Sequence, residues 1–207
     1  MSEGQPRGHY KRGIERRRLI VITATDVFGE HGFKGGTLQK VADVVGGTPA
    51  AILKLFGSKE KLLIAVLDYW GESTSKLVMQ GSPEIAYLDG LSALMRYHVA
   101  HKGLLQLYTT MAAEGASAQH PAHEFMTNRY RNTLANMRKR FADASHAGHL
   151  KPMSEEEIDR EAEYLLATMD GLEIQFILNP EFDLVRSFDE YVNRVTARLR
   201  VHGSSSV

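Results

Sequence analysis

Thr37 and Thr48 each stand directly ahead of an apolar stretch, and eleven lysines and arginines fall within residues 1–62, among them Arg16, Arg17, Lys54 and Lys59. A threonine at the head of a helix accepts a bond from one of the backbone N–H groups that the first turn leaves unpaired. The same N–H groups attract phosphate. Lysine and arginine nearby would hold phosphate oxygens by charge. Pro49, Ala50 and Ala51 follow Thr48. Small side chains let a backbone approach base edges, and alanine can touch a thymine methyl group. Each residue also has a plain structural role: threonines cap, alanines propagate helix, and an exposed lysine is simply solvated.

The charge balance favours a polyanion. Residues 1–62 carry 11 Lys and Arg against 6 Asp and Glu, a net +5, while residues 63–207 carry 14 against 19, a net −5, so the overall zero hides a basic head on an acidic body. Other chemistries find less support. His120-x-x-His123 and His146-x-x-His149 have the look of metal ligands, but zinc takes more than two and each pair lies near a helix boundary. No metal and no cofactor are assigned. There is no G-x-S-x-G, phosphate-loop, H-E-x-x-H or dinucleotide signature, so catalysis is not expected. The chain has no cysteine, no apolar run near the roughly 18 residues of a membrane span and no apolar signal core at its start. A cytoplasmic protein without a membrane partner is expected.

These residues must be positioned by helices. Ile20, Ala24, Val27 and Phe28 recur at i, i+4, i+7 and i+8, one face of a helix over about 17–31 that Gly32 stops. Thr37 caps a short helix over 38–45, which Gly46-Gly47 breaks. Thr48 caps the next, with Pro49 at the first position, where no N–H is needed. Gly57 ends it and Ser58 caps a fourth. Helices of about two turns are unstable alone, so packing must hold them. A tight glycine turn between two short helices is the helix-turn-helix arrangement, whose second helix enters the DNA major groove. Further on, Ser82-Pro83-Glu84 opens a helix. One follows near 104–114, and another over about 121–147. Ser154 to Glu157 forms a capping box for a helix ending near Leu178, and a last helix spans about 184–200. The fold class is all-α, with about nine helices.

The stretch IVITATDVFGEHGFKGGTLQKVADVVGGTPAAILKLFGSKEKLLIAV, residues 20–66, resembles the N-terminal domain of the tetracycline-repressor (TetR) family. The resemblance rests on Val27-Phe28, Glu30, Gly32-Phe33, Thr37, Val41-Ala42, Phe56 and Ser58-Lys59-Glu60. It implies a homodimeric, ligand-responsive transcriptional regulator, usually a repressor, that reads a palindromic operator in double-stranded DNA. The expected organisation is a flexible basic arm (1–13), a helix-turn-helix domain (14–62), a helical ligand-binding and dimerisation domain (63–202) and a disordered tail (203–207).

The expected DNA contacts are Thr37, Thr48, Pro49, Ala50, Ala51, Leu53, Lys54, Lys59, Arg16 and Arg17, with Lys59 matching the family's phosphate-binding lysine. Lys11, Arg12 and Arg18 could track the backbone as well. Leu53 stands where a phosphate-binding tyrosine is usual, Gly36 replaces a frequent second threonine, and Gly47 replaces a usual buried valine. These departures keep open an alternative, a helical small-molecule-binding protein that has lost specific DNA binding.

For the body, "HPAHEFMTNRYR" (120–131) and "LLATMDGLEIQFILNP" (165–180) are similar to the family's ligand-binding domains. An unidentified small-molecule effector is expected among Trp70, Tyr97, His98, Tyr108, Met111, Phe125, Met126, Arg129, Tyr130 and Met169. Aromatics and methionines at helical spacing are more often plain core. Dimer contacts are expected from Leu165, Met169, Leu172, Phe176, Phe188, Tyr191 and Val195.

Overall fold

The computed structural model describes residues 6–79 and 86–200. Nine helices occur among the described residues: α1 Pro6–Gly35, α2 Leu38–Val45, α3 Pro49–Phe56, α4 Lys59–Met79, α5 Ala86–Ala100, α6 Lys102–Glu114, α7 His123–His146, α8 Glu155–Leu178 and α9 Leu184–Leu199. β pairing among the described residues is limited to a single antiparallel bridge, Leu150 to Arg200. The start expected at Ser82 and the tail 203–207 lie outside the described residues.

Two compact units emerge. The first comprises Met1–Glu72 and Gly103–His123, the second Ser73–Lys102 and Glu124–Val207. The first unit's core is the apolar face foreseen on α1, with Ile20, Ala24, Val27 and Phe28 buried, together with Val41, Ala42, Ile52, Phe56, Leu62, Leu63, Val66 and Leu67. Leu104, Leu105, Leu107 and Met111 of α6 are also buried. α6 lies unusually near α1: a Cβ added to Gly29 would stand 2.9 Å from the carbonyl carbon of Gly103.

α1 departs from expectation at its start. It begins at Pro6, so Lys11 and Arg12 ride on a helix rather than on an arm. Proline fits a first helical position, since it has no N–H to leave unpaired. Gly32 interrupts the helix, with φ 69° and ψ 170°.

The second unit packs α5 against α9 and α8 against α9. Its α8 is opened by a complete capping box: Glu157 N–H donates to Ser154 Oγ at 3.2 Å, and Ser154 N–H donates to the Glu157 carboxylate at 2.8 Å. The bond from the Ser154 N–H holds the Glu157 carboxyl below its ordinary range.

Candidate nucleic-acid interface and buried polar cluster

α2 and α3 are built from matching caps. Thr37 Oγ1 accepts from Lys40 N–H, and Thr48 Oγ1 accepts from Ala51 N–H, each at 3.2 Å. Such a cap contributes about 1 kcal/mol, and each hydroxyl keeps its own proton for a further acceptor. Between the helices Gly46 adopts φ 63°, ψ 53°, the left-handed turn that glycine enters without penalty. On α3, Ile52 and Phe56 face inward, leaving Ala50, Ala51, Leu53, Lys54 and Leu55 exposed. Pro49 is half-buried and Thr48 exposed.

The arginines of α1 hold this pair from the inside. Arg16 Nη1 donates to the Val45 carbonyl at 2.8 Å, at the end of α2. Arg17 Nη1 donates to the Leu55 carbonyl at 3.2 Å, near the end of α3, and its guanidinium lies 4.3 Å over the Phe56 ring. A cation suits both places, because the last carbonyls of a helix are unpaired and carry partial negative charge. Lys59 is also engaged within the fold. Its Nζ lies 3.4 Å from the Lys34 carbonyl and 4.5 Å over the Phe33 ring, and burial holds its pKa below the ordinary value.

Two of the departures from the family pattern have local causes. A Cβ at position 36 would collide with the Phe28 ring and approach the Gly32 carbonyl at 3.0 Å. At position 47 it would meet Arg16 Nη2 at 2.7 Å, so the guanidinium occupies the space a buried valine would need.

Comparison with known proteins bears on this unit first. The sequence profile described as bacterial regulatory proteins, tetR family, matches residues 20–66, which contain the whole capped pair. That segment is similar to the DNA-binding domain of the tetR family. The HTH-type transcriptional repressor NicS of Pseudomonas putida is 29% identical over 99 residues, covering 45% of this chain and 47% of NicS. The chain thus spans about half or less of the curated relatives it matches. SmeT, the repressor of a Stenotrophomonas maltophilia multidrug efflux pump, shares the fold with TM-score 0.70 and 21% identity over 90% of this chain and 91% of SmeT. In its complex with triclosan SmeT gives TM-score 0.72 and 22% identity, over 91% and 93% of the two chains.

The residues expected at an effector site divide between the two units of the chain. In the first, Trp70 and Tyr108 meet edge to face at 4.3 Å, and Met111 is fully buried. In the second, a polar cluster joins α5, α7 and α8. His98 Nδ1 lies 2.7 Å from Glu173 Oε1, both side chains buried. Tyr130 donates its hydroxyl to Asp170 at 3.0 Å. Burial, with Glu173 nearby, pushes the Asp170 carboxyl up to about 6. Arg129 donates to Thr74 Oγ1 at 3.3 Å. Met126 and Met169 are buried, Phe125 is half-buried, and Tyr97 stacks on His101 at 4.0 Å.

Glu173 was missed from sequence, and Asp170 was not seen as part of a site. The signal was present: Glu173 falls four residues after Met169 and three before Phe176, on the apolar stripe of α8. A carboxylate there must have a buried partner. The histidine pairs behave otherwise. His120 reaches Glu114 at 3.3 Å and His123 the Gly115 carbonyl at 2.8 Å, and no group of three metal-ligating side chains occurs among the described residues.

The residues expected at a dimer interface are placed mostly inside the second unit. Leu165, Met169, Phe176, Phe188 and Val195 are buried there, and Leu172 and Tyr191 are half-buried. Both faces of α8 carry apolar residues at helical spacing, so periodicity alone did not separate core from surface. The outward face presents Tyr164, 59% exposed, Ile174, 48%, and Leu178, 79%, with Ala167 and Gly171 between them.

Proposed function

We propose that this chain is a DNA-binding transcriptional regulator that works as a homodimer, represses from a palindromic operator, and is released by a small molecule. The observation that carries the reading is the capped α2–α3 pair on a head of net +5, with the outer face of α3 uncovered. Residues 14–62 form the DNA-binding domain, and residues 63–202 carry effector binding and dimerisation. Thr37, Thr48 and Lys59 would meet phosphate, and Ala50, Ala51, Leu53 and Lys54 would meet the groove. Arg16 and Arg17 support the pair from behind. The outward face of α8 is the dimer surface in this reading, and the His98–Glu173 and Tyr130–Asp170 cluster belongs to the effector site. SmeT's complex with triclosan supports a body that accepts a small molecule.

Release follows from geometry. Recognition helices of a dimer must sit about 34–36 Å apart to fit successive major grooves. An effector that prefers another spacing weakens DNA binding by its differential affinity for the two states. No catalytic role, cofactor or metal enters this reading. The cytoplasm is the compartment proposed, and no helix among the described residues is long and apolar enough to cross a membrane.

Fluorescence anisotropy tests the reading, using DNA from immediately upstream of the chain's own coding sequence, at several salt concentrations and against random duplex of equal length. Saturable binding that survives the competitor, with two subunits per site or a multiple, is the expected result. If neither this DNA nor any sequence enriched from a random library binds better than random duplex, the alternative stands: a helical small-molecule-binding protein without a DNA code.

A further inference from the structure

α3 reads Pro-Ala-Ala-Ile-Leu-Lys-Leu-Phe, and Lys54 is the single side chain in it with a polar atom. With Ile52 and Phe56 turned inward, the helical period sets Lys54 at the middle of the outward face, Ala50 and Ala51 beside it, and Leu53 and Leu55 at its shoulders. All five are exposed, the leucines 42% and 40%. The amide-bearing side chain nearest in α2 is already engaged, since Gln39 Nε2 donates to Asp43 at 2.6 Å. An adenine needs a bidentate amide and a cytosine an acceptor, and α3 offers neither. What a surface of methyl and isobutyl groups can distinguish is the C5-methyl of thymine.

We infer that α3 reads its half of the operator through thymine methyl groups, with Lys54 supplying a single polar contact, to guanine O6 or N7. This rests on the regulator reading above and specifies the chemistry of its site. Leu53 and Leu55 cover methyls on either side of the base that Lys54 meets, and the two alanines let the helix approach closely enough for that contact. Leucine at 53 thereby exchanges a phosphate bond for a base contact. The half-site facing α3 is a short run containing thymines and one guanine.

The test begins with the full-length protein and a random duplex library, from which bound sequences are enriched. In the best binder each thymine is then replaced singly by deoxyuridine, which removes only the methyl, and affinity is read by anisotropy. Thymine should recur at the positions facing α3, and each replacement there should weaken binding about fourfold, the factor that corresponds to about 0.8 kcal/mol for one buried carbon. Replacements outside the footprint should change nothing. Leu53→Ala, at a half-exposed position that circular dichroism can confirm as folded, should bind the thymine and deoxyuridine duplexes alike at one of those positions. Tight, specific binding that is indifferent to every deoxyuridine replacement would overturn this inference and leave the regulator reading standing. Failure to enrich any sequence would overturn both.

Discussion

A valine at position 47 would place its Cβ 2.7 Å from Arg16 Nη2, and Arg16 is the residue that ties α1 to the Val45 carbonyl. The colliding atom is the end of a flexible side chain, so the backbone need not move. The arginine swings out and the helix end loses its bond. Gly47→Val should therefore cost about 1 kcal/mol, the scale of one net hydrogen bond. The same change in an Arg16→Ala background should cost nearly nothing, and urea melts of the four proteins would measure that coupling. Equal costs in the two backgrounds would show that Arg16 does not fill the space at 47. Asp170 gives a second test at this scale. Burial raises its carboxyl to about 6 from an ordinary 3.8, so the folded state holds the proton more tightly than the unfolded one. The resulting stability is full below about pH 4 and is lost as pH rises through about 6. Above that, the ionised carboxylate opposes folding. Asp170→Asn, which keeps an acceptor for the Tyr130 hydroxyl, should stabilise the protein near pH 7 by about 3 kcal/mol. The gain should shrink to zero as pH falls toward about 4. A gain independent of pH would place its cause elsewhere.

Where α1 crosses α6, Gly29 and Gly103 bring two backbones together, and the atoms opposite a Cβ at 29 are the Gly103 carbonyl and the Leu104 amide nitrogen, neither able to rotate away. Overpacking of this kind costs about 1–3 kcal/mol, against about 1 kcal/mol that alanine gains over glycine in a helix. Gly29→Ala should lower Tm by several degrees, at about 2–4 °C per kcal/mol for a chain of this length. Gly13→Ala in the same helix, with nothing within 4 Å of its Cβ, should raise it. Differential scanning calorimetry of both variants separates crowding from propensity, and a similar response from both would sink the close-crossing account. The elements that were legible in the sequence are those with a chemical start signal: Thr37, Thr48, Ser58 and Ser154 all cap as read. Pro6, Gly8 and Gly13 read as an arm because glycine weakens a helix locally, yet α1 runs through them. The inward turn of Arg16 and Arg17 was equally illegible. An arginine's length reaches either a phosphate or a helix end, and only the packed backbone decides which. Glu173 shows the converse, a charge on an apolar stripe that the pattern did expose.

At the scale of the whole molecule, three of the exposed large apolar side chains among the described residues, Tyr164, Ile174 and Leu178, line up on one helix, α8. Tyr164, Ala167, Gly171, Ile174 and Leu178 share the outward face of α8, and nothing lies within 4 Å of a Cβ built on Gly171. The small residues at the middle of the stripe would let a second helix approach closely, while the larger ones at its ends would supply buried area. A second copy of this chain offers the same stripe, and a two-fold axis pairs such surfaces with themselves. Replacing Ile174 or Leu178 by glutamate sets a charge on each side of that axis. Removing exposed apolar side chains costs the monomer's own fold little, since surface changes usually stay within about 0.5 kcal/mol. Ile174→Glu and Leu178→Glu together should therefore leave the melting of the monomer nearly unchanged and shift sedimentation from dimer to monomer. Operator affinity should fall with it, because half-sites one helical turn apart are read by two linked heads rather than by one. A variant that stays dimeric would move the interface off this face. A variant that becomes monomeric yet binds the operator as tightly as before would show that a single head is enough to hold the DNA.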